Sequence, residues 1–599
     1  MQLRGVGVDN VTMLPGMFYD RFNLSREYMM SLQNKDLLQN HYMEAGLWAT
    51  PHKPGFCHWG WESPTCQLKG HFLGHWLSAA ALCYRSNHDD EVKAKADRLV
   101  AELARCQSEN GGRWAGSIPE KYLDWIGKGK YVWAPQYTLH KTLMGLVDMY
   151  RYAQNEQALQ ILCSFSTWFY DWSGKFSREE FADILDVETG GMLEVWVDLY
   201  EITGNSKHLE LINRYDRHRL FEPLLEGKDV LTNMHANTTI PEVLGAARAW
   251  EVTGDKRWFD IVKAYWDQAV TKRGFFCTGG QTSGEVWTPP YAFADRLGDK
   301  TQEHCTVYNM MRLAEFLLRW TGELEYADYL ERNLYNGILA QQHPETGMVA
   351  YFLPLESGGK KIWGTPTEHF WCCHGTLLQA QMSYANIVFY EHDDGLFINQ
   401  HIPARLSWHK GETAISLEQT ISPQTGHNVA IRDINRYQQS RPAGLCVDYR
   451  ISCEEPVEFV LEFRVPWWVT GTITIDISGE RRMVDATPSS RISIKRTWSK
   501  DTLSIRFPKK LCTVPLPDSP QRVAFMDGPV VLAGLAEETR LYGDVDDAYS
   551  ILEPDNVRLW QTWLSGFRTH SQAKTIKFKP LYEVTEERYT VYFPIVALK

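Results

Sequence analysis

Two short segments of this 599-residue sequence bring together residue types that can bind a metal ion. Cys372 and Cys373 are adjacent in one segment, and Glu303 and Cys305 lie two residues apart in the other. Each segment immediately precedes a stretch with helical periodicity. Because a helix N-terminus stabilises a thiolate through its dipole and free amides, these positions favour the ionised, metal-binding form of cysteine. Three thiolates and one carboxylate can fill a tetrahedral zinc shell.

The spacing of these residues leaves a second interpretation open. His304 or His374 could replace one of the four ligands, and the sequence contains no C-x-x-C pair. Cysteines are also among the residues most often buried in protein cores. A disulfide between adjacent cysteines needs an unusual strained backbone. The pattern therefore predicts either a metal or redox site or a set of ordinary buried thiols.

A Gly-rich loop upstream of these segments carries a further carboxylate. It reads Thr-Gly-Gly-Gln-Thr-Ser-Gly-Glu-Val-Trp over residues 278–287 and contains Glu285. It is not a phosphate-binding loop, because the Lys-Ser/Thr that would follow is missing. Taken alone, a single glutamate in a loop is typical of solvated surface.

Histidines and a tyrosine near the starts of helical stretches form a third group. His71 and His75 are four residues apart and therefore share one helix face. The glutamate of an H-E-x-x-H metalloprotease motif is absent between them. Such residues either form hydrogen bonds in a core or line a polar pocket that binds hydroxyl groups. The other members are His140, His235 and Tyr351.

The elements that must position these residues are helical up to about residue 390. Apolar residues recur at helical spacing in stretches 71–83, 139–150, 192–202, 241–252, 306–320 and 377–390. A weak repeat, an aromatic residue followed by Thr-Gly, ends three of them. Repeated helical hairpins fit either an α-solenoid or a closed (α/α)6 toroid. We expect the toroid, since its loops surround one cavity, which suits an enzyme.

Beyond residue 394 the pattern changes to alternating apolar and polar residues. Runs of this kind, bounded by Pro, Gly and Ser, occupy residues 412–418, 459–465, 472–477 and 502–507. We expect two β-sandwiches separated near residues 510–525. The predicted fold is therefore multidomain: an all-α (α/α)6 toroid over residues 1–392, a β-sandwich over 393–515 and a second β-sandwich over 516–599.

Composition narrows the classes of partner. The formal net charge of −12 argues against nucleic acid and anionic membranes, because both attract basic surfaces. No stretch reads as a signal peptide or a membrane span, which predicts reduced cysteines and a cytoplasmic location. The 23 tryptophans suit either a core or a sugar-binding cleft. The sequence is compatible with a homodimer.

Together, the motifs resemble glycoside hydrolase family 127, the β-L-arabinofuranosidases, over most of the chain. The three motifs Gly-Glu, Glu-x-Cys and Cys-Cys occur in this order in the family. Their combination is highly specific, whereas any one of them alone would be weak evidence. Further matching segments are Leu14–Phe18, Gly70–Ala79, Tyr137–Leu146, Phe463–Trp467, Trp498–Asp501 and Gly528–Leu532.

The resemblance implies a retaining exo-hydrolase that releases L-arabinofuranose from an oligosaccharide or small β-L-arabinofuranoside. It implies Cys372 as the nucleophile and Glu285 as the general acid/base. It also implies a Zn²⁺ cofactor held by Glu303, Cys305, Cys372 and Cys373. The substrate-binding positions it implies are His71, His75, His140, Glu194, His235 and Tyr351. Glu194 stands where the family pattern has a histidine, which leaves the exact sugar undecided.

Two other functions compete with this one. (α/α)6 toroids also host inverting hydrolases and sugar epimerases, in which case other residues would react and the zinc would be structural. Alternatively, the chain could be a non-catalytic carbohydrate-binding protein whose cysteine cluster serves stability alone.

Overall fold

The computed structural model describes residues 2–597, with gaps at 48–57, 188, 423–443, 538–539, 556–557, 560–561 and 564–565. The first half of the described chain is helical. Its helices are α1 (Met17–Ser31), α2 (Asn34–Leu37), α3 (Gln39–Glu44), α4 (His71–Asn87), α5 (Asp90–Glu109), α6 (Lys121–Ile126), α7 (Pro135–Ala153), α8 (Glu156–Ser173), α9 (Arg178–Leu185), α10 (Met192–Thr203), α11 (Ser206–Arg214), α12 (His218–Leu225), α13 (Ala236–Thr253), α14 (Lys256–Trp266), α15 (His304–Thr321), α16 (Leu324–Asn333) and α17 (Cys372–Met382).

Six of these helices contact one another in a closed order. Helix α4 contacts α7, and the contacts continue through α10, α13, α15 and α17 back to α4. Helices α5, α8, α11, α14 and α16 each contact the helix that precedes them in this order, and α1 contacts both α17 and α4. The six inner helices therefore have neighbours on all sides.

Burial on all sides explains the composition of the inner helices. Nearly every side chain of α4 from His71 to Cys83 is buried, including the rings of Phe72 and Trp76. A helix enclosed in this way is apolar around most of its circumference. Gly204, Gly254 and Gly322, the glycines of the Thr-Gly repeat, are the C-caps of α10, α13 and α15.

Five of the predicted helical stretches fall within α4, α7, α10, α13 and α15. The sixth was predicted too long, because α17 ends at Met382 and a strand begins at Phe389. This strand forms a hairpin with residues 395–398 across the two-residue turn Asp393-Asp394. A short apolar run has the same pattern in a buried strand as in a buried helix, which explains the error.

The remaining chain is mainly β-structure. In chain order, the strands up to residue 508 are β1 (Arg4–Gly5), β2 (Val11–Met13), β3 (Thr282–Ser283), β4 (Val286–Trp287), β5 (Phe389–His392), β6 (Gly395–Ile398), β7 (Ala404–Lys410), β8 (Thr413–Ile421), β9 (Gly444–Val465), β10 (Thr472–Ile477), β11 (Glu480–Asp485) and β12 (Ser490–Pro508). Those that follow are β13 (Leu511–Leu516), β14 (Ser519–Asp527), β15 (Val530–Gly534), β16 (Leu541–Tyr542), β17 (Leu552–Pro554), β18 (Arg558–Leu559), β19 (Thr562–Trp563), β20 (Phe567–Thr569), β21 (Lys577–Pro580) and β22 (Phe593–Val596).

Two large sheets contain most of these strands. The first has the order β1-β5-β6-β9-β12-β10-β11, with β8 on β9, β7 on β8 and β2 on β7. The second has the order β16-β22-β14-β15-β21-β20-β17, with β13 on β14. The N-terminal strands β1 and β2 thus belong to a sheet formed mainly by residues beyond 388, a pairing that had no signature in the sequence.

A buried ion-pair group joins the first sheet to the helices. Arg464 of β9 is fully buried and lies 2.8 Å from a carboxylate oxygen of Asp328 and 2.8 Å from one of Glu331, both on α16. The indole nitrogen of Trp468 also donates to Glu331, at 2.9 Å. Breaking such a group would leave a buried charge without a partner, so it fixes the sheet against the helices.

Candidate active site

The predicted metal ligands meet where two inner helices begin. Glu303 is the residue before α15, Cys305 lies in its first turn, and Cys372 and Cys373 are the first two residues of α17. One ligand atom from each of these four buried residues lies within 4.8 Å of all the others. The group could therefore hold a metal ion.

The separations within this cluster match those of a tetrahedral ion. Cys372 Sγ lies 3.8 Å from Cys373 Sγ and 3.8 Å from Oε1 of Glu303. Tetrahedral zinc with bonds of about 2.3 Å separates two sulfur ligands by about 3.8 Å. The Cys305 and Cys373 sulfurs are closer, at 3.3 Å. The donor set fits a zinc ion, and the Cys372–Cys373 separation is the one that tetrahedral zinc would give.

The three thiols differ in acidity. Burial raises the pKa of Cys372, but hydrogen bonds from Cys305, Cys373 and Tyr351 outweigh burial and place the pKa well below its usual range. Burial holds the pKa of Cys305 and of Cys373 well above the usual range. Of the three thiols, Cys372 is therefore the one whose surroundings favour the thiolate.

Glu285 lies at the tip of the β3–β4 hairpin, with its side chain 35% exposed. Its Oε1 accepts a hydrogen bond from the Tyr351 hydroxyl, and its Oε2 lies 3.9 Å from Nε2 of His235. The Tyr351 hydroxyl also lies 3.7 Å from Cys372 Sγ. A single hydroxyl group therefore contacts both the partly exposed carboxylate of Glu285 and the sulfur of Cys372.

Three of the eleven described non-glycine residues with positive φ lie at this centre. Glu285, Gln302 and Phe370 adopt positive φ angles of 67°, 53° and 47°, a region that non-glycine residues rarely occupy. Gln302 precedes the ligand Glu303, and Phe370 lies two residues before Cys372. Each such residue costs about 1–3 kcal/mol, and strain of this kind clusters at active sites.

His71 and His75 lie on the α4 face that packs against this centre. His71 Nε2 is 2.9 Å from the carbonyl oxygen of Phe370, and burial lowers the pKa of His71 to about 4, so the ring is neutral. His75 Nδ1 is 2.7 Å from Oε1 of Gln379, and burial lowers the His75 pKa well below its usual value. Nε2 of His75 is buried without a hydrogen-bond partner among the described residues.

His140 and Glu194 lie farther inside the helices. Both line a cavity of about 690 Å³ that residues 5–8 and the C-terminal parts of α7, α10, α13 and α15 also line, and none of the four cluster residues lines it. His140 is buried, and neither of its ring nitrogens has a hydrogen-bond partner within the described ranges. Glu194 forms an ion pair with Arg312 instead of contacting the cysteine cluster. Close packing of Gly191 fixes the His140 ring, since a Cβ there would lie 2.6 Å from Nε2.

Sequence reasoning missed two residues of this region. Thr376 Oγ1 lies 3.1 Å from Cys305 Sγ and 3.1 Å from His304 Nδ1. Thr376 lies three residues after Cys373 and therefore on the same helix face, so the sequence spacing could have identified it as a neighbour of the cluster. Arg312 has no such signal, because an arginine between apolar residues resembles the solvent side of an amphipathic helix. His304 contacts Thr376 and is not among the four residues whose ligand atoms converge.

None of the described helices combines the length and the apolar character that crossing a membrane requires.

Comparisons with known proteins agree with this geometry. Residues 10–386 match the β-L-arabinofuranosidase GH127 catalytic domain, and residues 395–509 match the GH127 middle domain. The chain is 24% identical over 478 residues to a non-reducing end β-L-arabinofuranosidase of Bifidobacterium longum subsp. longum. That alignment covers 68% of this chain and 65% of the relative, so the chain spans about two thirds of that protein's length.

Solved structures share the fold. A GH127 β-L-arabinofuranosidase from Geobacillus stearothermophilus T6 has a TM-score of 0.71 at 18% identity, covering 98% of this chain and all of the other. A second GH127 β-arabinofuranosidase has a TM-score of 0.74 at 17% identity, covering 99% and 98% of the two chains. The family match extends over more than half of the chain, and the chain therefore belongs to glycoside hydrolase family 127, the family of the β-L-arabinofuranosidases.

Proposed function

We propose that this protein is a retaining exo-glycoside hydrolase that releases L-arabinofuranose from β-L-arabinofuranosides. The observation that carries the proposal is the position of the Tyr351 hydroxyl between Cys372 and Glu285. A retaining glycosidase needs a nucleophile and an acid/base close enough to act on one glycosidic bond. Here a thiolate takes the place of the usual nucleophilic carboxylate.

In the first step, Cys372 Sγ attacks the anomeric carbon and forms a carbon–sulfur bond. The bond from that carbon to the glycosidic oxygen breaks, and Glu285 donates its proton to the departing oxygen. The product of this step is a sugar linked to Cys372. Tyr351 holds the Glu285 carboxyl in place, since burial raises the pKa of Tyr351 and keeps its hydroxyl a donor.

In the second step, Glu285 takes a proton from water, and the water oxygen attacks the same anomeric carbon. The carbon–sulfur bond breaks, which returns the Cys372 thiolate and the protonated Glu285. Two inversions at one carbon give the retained configuration. His235, 3.9 Å from Oε2 of Glu285, lies where it can orient the carboxyl or a sugar hydroxyl.

We propose that the cluster holds Zn²⁺ through Glu303, Cys305, Cys372 and Cys373. Its support is the buried donor set and the sulfur separations near those of tetrahedral zinc. When bound, zinc stabilises Cys372 as a thiolate at neutral pH. Thr376 and Thr306 orient the ligands, through Cys305 Sγ at 3.1 Å and Oε2 of Glu303 at 3.0 Å.

The sugar pocket that we propose runs from His235 and Tyr351 past His71 and His75 to His140 and Glu194. Its support is the unpartnered nitrogens of His75 and His140 within the described chain, since buried polar atoms without partners favour a ligand that supplies hydrogen bonds. The Glu194–Arg312 ion pair would present charged groups to the far side of the sugar.

We also propose that the helical region is an (α/α)6 toroid over residues 1–392, followed by sandwiches over 393–515 and 516–599. The closed contact order of six inner helices, each with a helix outside it, supports the toroid. A toroid places the N-termini of α15 and α17 beside each other around one cavity, as catalysis requires.

The test is hydrolysis of p-nitrophenyl β-L-arabinofuranoside, followed by NMR of the first sugar anomer released. We expect release of p-nitrophenol and a β-anomer as the first product. The p-nitrophenyl α-L-arabinofuranoside and β-L-arabinopyranoside are the matched controls, since the first changes only the anomeric configuration and the second only the ring size. A first product of α configuration would contradict the retaining mechanism, and cleavage of a control in preference would contradict the proposed sugar.

A further inference from the structure

A line of aromatic side chains leads from the catalytic centre to the protein surface. The Trp61 ring lies nearest to the centre, with its centroid 6.4 Å from the Tyr351 ring and 5.9 Å from the His71 ring. Trp133 stands edge-on to Trp61 at 5.3 Å. We call Trp61, Trp133 and Tyr131, which lies two residues before Trp133 in the chain, the aromatic wall. The two-step mechanism above uses none of them.

Exposure increases from Trp61 through Trp133 to Tyr131. Trp61 is half-buried, Trp133 is 38% exposed and Tyr131 is 76% exposed. Large apolar rings in contact with water are unfavourable, and a group of them beside a catalytic centre marks a binding surface. Indole and phenol rings offer the flat faces on which the apolar face of a sugar ring packs.

Backbone contacts hold the aromatic wall in place. The amide of Trp61 donates to the carbonyl oxygen of His369 at 3.0 Å, and the amide of Trp133 donates to Oε1 of Gln67 at 2.8 Å. Gly60 permits the first contact, because it adopts a φ of 61° and a Cβ there would lie 2.2 Å from the His369 oxygen. The wall is therefore preformed, so little ordering entropy opposes ligand binding.

The direction of the aromatic wall identifies what it binds. The sugar that is cleaved off must lie against Cys372 Sγ, which is buried, whereas the Glu285 side chain is 35% exposed. The group on the other side of the scissile oxygen must then extend from Glu285 toward solvent. The aromatic wall starts at Tyr351, the partner of Glu285, and runs outward.

We propose that the aromatic wall is the leaving-group subsite, and that it stacks on the sugar residue attached to the scissile oxygen of an oligosaccharide. The proposal rests on the proposed function and adds to it the class of leaving group, a carbohydrate, and the residues that select it. Trp61 would contact this sugar residue, and Trp133 and Tyr131 would extend the contact toward the surface.

The experiment compares two substrates, a β-linked disaccharide of L-arabinofuranose and methyl β-L-arabinofuranoside, whose leaving group has no ring. For Trp133→Ala we expect the ratio of kcat/KM for the disaccharide to kcat/KM for the methyl glycoside to fall about five- to tenfold, mainly through KM. Tyr131→Ala should lower this ratio less. Tyr542→Ala is the matched control, because Tyr542 is 43% exposed on β16 of the second sheet, and it should leave the ratio unchanged.

The outcomes distinguish a failure of the leaving-group subsite from a failure of the proposed hydrolase function. Normal hydrolysis by the wild type with an unchanged ratio in Trp133→Ala would overturn the leaving-group subsite alone. Equal losses on both substrates would also overturn it, because they indicate a general effect on the centre. Hydrolysis of neither substrate by the wild type would overturn the proposed function itself. Melting temperatures of the variants within a few degrees of the wild type would exclude misfolding as the cause of any loss.

Discussion

The hydroxyl of Tyr351 lies 3.7 Å from the sulfur of Cys372 while it donates a hydrogen bond to Glu285. Tyr351 comes from the segment between α16 and α17, and its main-chain oxygen accepts a hydrogen bond from the amide of His304 at 3.0 Å. One residue thus ties the carboxylate loop, the start of α15 and the start of α17 together. Glu285 and Cys372 therefore share one hydroxyl partner.

Removing the Tyr351 hydroxyl should lower activity without loss of the zinc ion that we propose for the cysteine cluster. For Tyr351→Phe we expect kcat/KM on p-nitrophenyl β-L-arabinofuranoside to fall about 10- to 100-fold, since a hydrogen bond to a charged group contributes about 1.5–3 kcal/mol. Zinc content, measured by plasma mass spectrometry, should stay unchanged. Tyr449→Phe, which removes a buried hydroxyl from β9, is the control and should remain fully active. Loss of zinc in Tyr351→Phe would contradict the role assigned to the hydroxyl.

The cysteine-linked sugar should be observable in a Glu285→Gln variant. p-Nitrophenolate leaves without protonation, so the first step proceeds, whereas the second step lacks its base. We expect a burst of one p-nitrophenolate per active site, and a peptide containing Cys372 that carries one pentose in mass spectrometry.

Replacing the nucleophile should abolish this adduct. Cys372→Ser should lose about 10⁴-fold or more in kcat and carry no pentose. Cys453→Ser, which changes a buried cysteine of the first sheet, should behave as the wild type. A pentose found on another residue would exclude Cys372 as nucleophile.

Metal analysis should find one zinc ion per chain in the purified protein. Cys305→Ala removes a ligand that makes no bond to the sugar in the proposed mechanism, and should reduce zinc content to well below one. Loss of a structural ion also removes its binding free energy from the folded state, so the melting temperature should fall. Cys446→Ala alters a half-buried thiol on β9 and should change neither quantity. Full zinc content in Cys305→Ala would show that the ion lies elsewhere.

Asp148 should make stability depend on pH. It lines the cavity inside the helices, and burial raises its pKa from near 3.8 to about 7, although the Ser78 hydroxyl donates to it. Between these values the folded protein keeps a proton that the unfolded chain has released. Stability from this group is therefore present below pH 4 and declines as pH rises to 7.

The Asp148→Asn variant removes this decline. We expect its melting temperature to exceed that of the wild type by about 2–4 °C at pH 8, and by less at pH 5, in calorimetry at both pH values. Asp299→Asn, on the exposed surface, should show no pH-dependent difference. A larger gain at pH 5 than at pH 8 would contradict the raised pKa of Asp148.

Sequence patterns revealed the helices that matter most for this site. The inner helices are buried on all sides, and their apolar residues therefore stand out, as in α4 and α15. The order of the Gly-Glu, Glu-x-Cys and Cys-Cys motifs identified the cluster residues through the family. The domain limits, a homodimer and a cytoplasmic location stay predictions.

Other features depend on contacts between distant segments and have no local pattern. The ion pair of Glu194 with Arg312 joins residues 118 positions apart, and neither neighbourhood indicates it. Trp61 could not be told from a core tryptophan, because its position depends on Gly60 and His369. Strands β1 and β2 are too short to show alternation before their partners are known.

The pairing of these short strands affects how the protein is made. Arg4 pairs with Glu391 and Val11 with Leu406, so the first strands leave the ribosome almost 400 residues before their partners. At translation rates of about 5–20 residues per second, they wait for roughly 20 to 80 s. During that time the helices can assemble, but their N-terminal end stays unanchored. Chain termination or a long pause before residue 391 would therefore leave an unpaired strand edge and favour aggregation over function.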